Sequence, residues 1–231
     1  MSAYPFPPRR KVWRVACLTF VFLATSRAAP AAAPAPVISE RYRIQFGPAR
    51  TALTLAYIRQ HYDPAATSIQ FTPVMVVIHW TASHTLAAAL AVLTPDTLSG
   101  RADIRSGGAL NVGAPFVVDR DGTIYRLIDK TLLARHTIGL NRAAIGIENV
   151  GSGDLTAAQL KADTALVTYL NGKYPLRYLI GHFEYGAFRD SPLWEERQAG
   201  YFTVKSDPGA AFMAALRAKL AAQGVRLKST P

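Results

Sequence analysis

Two stretches of this chain, "VMVVIHW" (Val74 to Trp80) and "LRYLIGH" (Leu176 to His182), are apolar almost without interruption. A strand with one wet face alternates apolar and polar residues, whereas an unbroken run of this kind belongs to a strand covered on both faces. "AAIGIENV" (Ala143 to Val150) reads as another strand, and the segments between the strands are helical. "RTALTLAYIRQHY" (Arg50 to Tyr62) predicts one helix, and "HTLAAALAVL" places Leu86, Leu90 and Leu93 on one face of a second, which ends at Pro95. "TAAQ" from Thr156 has the capping-box pattern and opens a third helix that runs to Asn171-Gly172. The last helix is expected in "DPGAAFMAALRAKLAAQG", with Asp207 as its cap, Pro208 at its first position and Phe212, Leu216 and Leu220 on one side. "PFVV" and "TIYRLI" around "DRDG" predict a hairpin, and the Gly-rich stretch 99–113 a long surface loop. The expected fold is α/β, a single domain with a central mixed β-sheet flanked by helices.

The first 36 residues stand outside that pattern. Arg9, Arg10, Lys11 and Arg14 precede the apolar run Val15 to Thr25, and small residues with prolines follow, the order of a secretory signal. The run falls short of the roughly 20 apolar residues of a membrane span. Residues 1–28 are expected to be a signal peptide, 29–39 an Ala/Pro linker and 40–231 the folded domain. Export to the periplasm or cell envelope of a bacterium follows, with no stable membrane insertion after cleavage. Cys17 is the only cysteine, so the mature chain would hold neither a disulfide nor a thiolate metal ligand. Of the formal charge of +11, Arg27 and the four basic residues above supply five, leaving +6 on a domain drawn to anionic envelope polymers. The export signal argues against nucleic acid as partner.

Of the histidines, His61 reads as a surface or boundary residue of a helix, and His84 opens a helix. His79 and His182 differ, because each directly follows a buried strand, the place where α/β sheets present ligand sites. Singly, each is better explained as a structural histidine that satisfies its own hydrogen bonds. As a pair they suggest a metal, and a catalytic zinc site then needs a third protein ligand, for which Asp207 is the candidate.

"VVIHWTAS", "IGIENVG", "LIGH" and "KSDPGAAF", in this order, resemble the zinc-dependent N-acetylmuramoyl-L-alanine amidases of the type 2 family, which includes phage amidase lysozymes and peptidoglycan recognition proteins. The similarity spans roughly Pro73 to Leu220. It implies that His79, His182 and Asp207 bind Zn2+, that Glu148 exchanges protons with water and the leaving amine, and that Lys205 stabilises the oxyanion. His136, in "LLARHTIGLN", is similar to a family histidine in a loop beside the cleft and is assigned to substrate contact or transition-state hydrogen bonding, with metal ligation as its second reading. The implied reaction is hydrolysis of the amide between N-acetylmuramic acid and the L-alanine of the stem peptide, in cell-wall turnover or recycling. A peptidoglycan or muropeptide is the implied substrate and a monomer the expected state. The alternative from a different class is a module that recognises muropeptide without cutting it.

Two departures from the family pattern stand out. Phage members carry a tyrosine with a catalytic part before the hairpin strand, where this chain has Ala114 and Pro115. Between His182 and Lys205 the chain also carries a long insertion, "FEYGAFRDSPLWEERQAGYFTV", whose aromatic residues could wall a groove, stack on sugar rings or pack against the last helix.

Overall fold

The computed structural model describes Met1 and residues 35–231; the expected signal peptide and most of the expected linker lie outside the described residues. Six strands form one sheet: β1 (Ile38–Ser39), β2 (Met75–Trp80), β3 (Phe116–Val118), β4 (Ile124–Arg126), β5 (Ala144–Asn149) and β6 (Tyr178–Gly181). Their spatial order is β1-β4-β3-β5-β2-β6, with β3 and β4 antiparallel as the expected hairpin and every other pairing parallel. The sheet begins at Ile38, two residues before the expected boundary, because Ile38 and Ser39 pair with Ile124 and Tyr125 along the open edge of the hairpin.

Among the described residues the α-helices are α1 (Pro48–His61), α2 (Leu86–Leu93), α3 (Ala157–Asn171) and α4 (Ala210–Ala222). Pro48 begins α1, where its missing N–H has no partner to lose. In α3 the capping box is closed in both directions: the Gln159 amide donates to Thr156 Oγ1 (3.1 Å) and the Thr156 amide to Gln159 Oε1 (2.9 Å). α4 begins later than expected. Asp207 does not cap it, since its carboxylate turns toward two histidines, and Gly209, at φ 91°, takes the N-cap position.

One face of the sheet packs Val76, Ile78, Ile145 and Ile147 against α3 and α4. The other packs Met75, Val77, Tyr178 and Ile180 against the insertion, where Tyr185, Phe188 and Tyr201 are buried and Trp194 and Phe202 partly so. The insertion's aromatics thus chiefly build a second core, and only Phe183 packs with the α3/α4 side. Both faces are covered, which is why the central strands carry apolar runs. Among the described residues no helix is long and apolar enough to cross a membrane.

Candidate metal centre and active site

Side chains alternate across a strand, so residues two apart share a face. On β2 the face toward the insertion carries Met75, Val77 and His79, and their register partners on β5 are Ala144, Gly146 and Glu148. On β6 the partners of Met75 and Val77 are Tyr178 and Ile180, and His182 follows one alternation later. Three chemically active side chains therefore leave one face at the C-terminal ends of three adjacent parallel strands, where open α/β sheets bind ligands. The backbone after the insertion returns there with Lys205 and Asp207.

His79 Nδ1 and His182 Nδ1 are 3.0 Å apart, and Asp207 Oδ2 lies 3.1 Å from His182 Nδ1 and 3.2 Å from His79 Nδ1. All three residues are buried. Tetrahedral zinc with bonds near 2.0–2.1 Å holds its ligand atoms about 3.3 Å from one another. The donor triangle fits that spacing, and the convergence of three lone-pair-bearing atoms is an arrangement that a cation stabilises. Burial would raise the Asp207 carboxyl, but the neighbouring imidazoles of His182 and His79 outweigh that and hold it well below the usual carboxylate range. Burial, reinforced by His79, lowers His182 to about 4, so its imidazole is neutral and free to ligate at pH 7. His136 is not part of the cluster.

The cluster opens into a pocket of about 440 Å³ whose wall includes Glu148, His136, Lys205, Arg101 and Tyr201. Glu148 Oε2 is buried with no hydrogen-bond partner in the protein. Its carboxyl is pushed up to about 7, chiefly by burial, with His79 pulling it down and Asp207 pushing it further up. Lys205 Nζ lies 3.7 Å from Asp103 Oδ2, and Asp103 in turn forms a two-point pair with Arg101 (3.0 and 2.9 Å). His136 has both ring nitrogens engaged inside the protein, one with His79 and Thr137 and the other with the Ala144 carbonyl.

The structure also shows residues that sequence reasoning passed over or read differently. His61 is no surface residue: it is fully buried, with Nδ1 on Glu196 (2.8 Å), Nε2 3.1 Å from the Gly107 carbonyl, and its ring stacked on Tyr57. Arg135, also buried, donates to the carbonyls of Ile104 (2.5 Å) and Leu110 (2.5 Å) and to Tyr201 Oη (2.6 Å). These two side chains fasten the 99–113 loop to the insertion and hold both against the pocket. Arg101 and Asp103 lie in that loop, whose length was the only signal for them. Asn149 donates both to the His79 carbonyl (3.3 Å) and to Asp163 on α3 (2.9 Å), an inner tie behind the first histidine.

A mixed sheet that delivers two imidazoles and a carboxylate to one buried point, beside an unpartnered glutamate and a lysine, defines an α/β protein with a candidate metal-dependent hydrolytic centre. A family model described as N-acetylmuramoyl-L-alanine amidase matches residues 70–210, and the chain belongs to that family. The endolysin of Escherichia phage T7 is 30% identical over 115 residues, covering 44% of this chain and 74% of that protein. The endolysin of Enterobacteria phage K11 is 29% identical over 85 residues, which is 33% of this chain and 56% of that protein's length. Among solved structures, the chain is similar to the N-acetylmuramoyl-L-alanine amidase LysC from Clostridium intestinale URNW (26% identity, 69% of this chain and 90% of that one, TM-score 0.45). It is also similar to the amidase AmiD from E. coli (22% identity, 70% and 60%, TM-score 0.47).

Proposed function

We propose that this protein is an exported, zinc-dependent hydrolase of the amide bond between N-acetylmuramic acid and the L-alanine of the peptidoglycan stem peptide. The observation that carries the reading is the buried, unpartnered Oε2 of the half-buried Glu148 beside the His79, His182 and Asp207 triangle in one pocket. The family supplies the bond that is cut.

His79, His182 and Asp207 would hold the ion, and when bound it supplies a Lewis acid that polarises the scissile carbonyl and acidifies water. Glu148, raised in basicity, takes a proton from the attacking water and returns it to the nitrogen of the leaving L-alanine. The C–O bond forms first, and the C–N bond breaks once its nitrogen is protonated, leaving a lactyl carboxylate and a free amino terminus on the peptide. Lys205 places a fixed ammonium where the carbonyl oxygen gains negative charge, and Asp103 holds that ammonium from the loop side. Tyr201 belongs to the wall along which the substrate lies.

Residues 1–28 act in this reading as a signal peptide, and the mature chain works as a monomer in cell-wall turnover in the periplasm or envelope. The test incubates purified protein with peptidoglycan sacculi and with soluble muropeptides. Mass spectrometry then looks for stem peptides with a free L-alanine amino group, and metal analysis for one zinc per chain. Binding of muropeptide without release of peptide would replace the enzyme by a recognition module. N-terminal sequencing of the protein recovered from the envelope checks the signal.

A further inference from the structure

We infer that His136 is a positioning residue for His79, fixing which nitrogen of that imidazole faces the metal centre; the inference rests on His79 being a metal ligand. His136 Nε2 lies 3.2 Å from the Ala144 oxygen. A carbonyl only accepts, so this nitrogen carries the proton and His136 Nδ1 presents a lone pair. That lone pair lies 3.1 Å from His79 Nε2, which must then be the protonated nitrogen of His79. Thr137 Oγ1 supports the junction, 2.9 Å from His136 Nδ1 and 3.5 Å from His79 Nε2. With its proton committed outward, His79 is left with the Nδ1 lone pair, the atom that faces His182 and Asp207. The rings stand almost perpendicular, at 88°.

The sheet is cut to fit this ring. A Cβ on Gly146 would lie 2.8 Å from His136 Cγ and 2.9 Å from its Nδ1, distances that real Cβ atoms do not show. Every other residue at 146 would therefore push the imidazole away. The backbone of Gly146 needs no special conformation, so its missing side chain serves packing. With both nitrogens spent on the protein, His136 has none to offer a substrate, which separates this role from the substrate contact suggested by its place in the sequence.

Outer partners of metal-bound histidines typically contribute about 10- to 100-fold in metal affinity. The test measures Zn2+ affinity by competition with a chromophoric chelator, using the full chain and its His136→Ala, His136→Gln and Gly146→Ala variants. Each is first checked for a cooperative thermal transition. We expect His136→Ala and Gly146→Ala to bind zinc about 10- to 100-fold more weakly than the wild type. Glutamine, which offers an acceptor oxygen, recovers part of the loss. At saturating zinc, KM stays near the wild-type value. The Gly146 variant leaves every ligand and His136 itself chemically intact, so it carries the test if His136→Ala fails to fold. Zinc affinity unchanged in both variants, or a raised KM with unchanged zinc affinity, overturns the role. A wild-type chain that binds no zinc overturns the metal centre itself, and the inference with it.

Discussion

His79 and Glu148 are register partners on neighbouring parallel strands, and that one pairing sets a half-buried carboxylate across from the candidate metal ligands. Shifting β5 by a single residue would turn Glu148 to the opposite face, into the layer of α3 and α4.

Glu148→Gln keeps the shape of the side chain and removes its ability to take a proton. kcat should fall by about 10²- to 10⁴-fold with zinc content unchanged, measured by steady-state assay and metal analysis. The proton-accepting form exists only above the pKa of the group, which burial has raised to about 7. The kcat/KM of the wild type should therefore decline as pH drops through a limb at or below that value, since a bound dication would lower it. The residual activity of the variant should lack the limb.

Asp207→Ala leaves two imidazoles and no anionic ligand at the centre. Zinc should be lost on dialysis and hydrolysis of muropeptide abolished, while the wild type stripped with a chelator should recover on adding Zn2+. Inductively coupled plasma analysis alongside product release checks both statements.

Lys205→Ala removes the charge that the proposed mechanism sets beside the carbonyl oxygen as it becomes anionic. We expect a fall of about 10²- to 10³-fold in kcat with little change in KM. A matching rise in KM would instead make Lys205 a residue that binds the ground state.

Asp163 offers a test of the inner layer. Burial pushes its carboxyl up to about 7 from 3.8, and its Oδ1 has no partner. Between these pH values the native state keeps a proton that the unfolded chain has released. Its contribution is therefore fully present below about pH 4 and declines toward pH 7, by about 1.4 kcal/mol per pH unit. Asp163→Asn cannot ionise and should gain stability relative to the wild type as pH rises through that window. Urea denaturation of the zinc-free proteins at several pH values reads this directly.

The parts of this molecule that were legible in the sequence are those written in local periodicity. Runs such as "VMVVIHW" announced strands covered on both faces, the Thr156 capping box announced α3, and His79 and His182 stood out because each follows such a run. Features set by distant partners were not legible. Nothing near His61 points to Glu196, 135 residues away, so a fully buried histidine read as a boundary residue. Asp207 matched a helix cap because "DP" before an alanine-rich run satisfies that local rule. The carboxylate goes to the imidazoles, as its reading as a third ligand anticipated, and it cannot cap the helix as well, so α4 starts at Ala210. The aromatic insertion carries no period, so its sequence could not separate a sugar platform from a second core. The structure places Tyr185, Phe188 and Tyr201 in that core, and Tyr201 also lines the pocket.

The guanidinium of Arg135 joins a loop that departs before β3 and an insertion that follows β6, through Ile104 on one side and Tyr201 on the other. Neither segment is an independent cassette. Grafting either one alone from a relative would strand buried donors with no acceptor, so variation in the shape of the cleft has to come as paired exchanges, loop and insertion together, around an unaltered arginine.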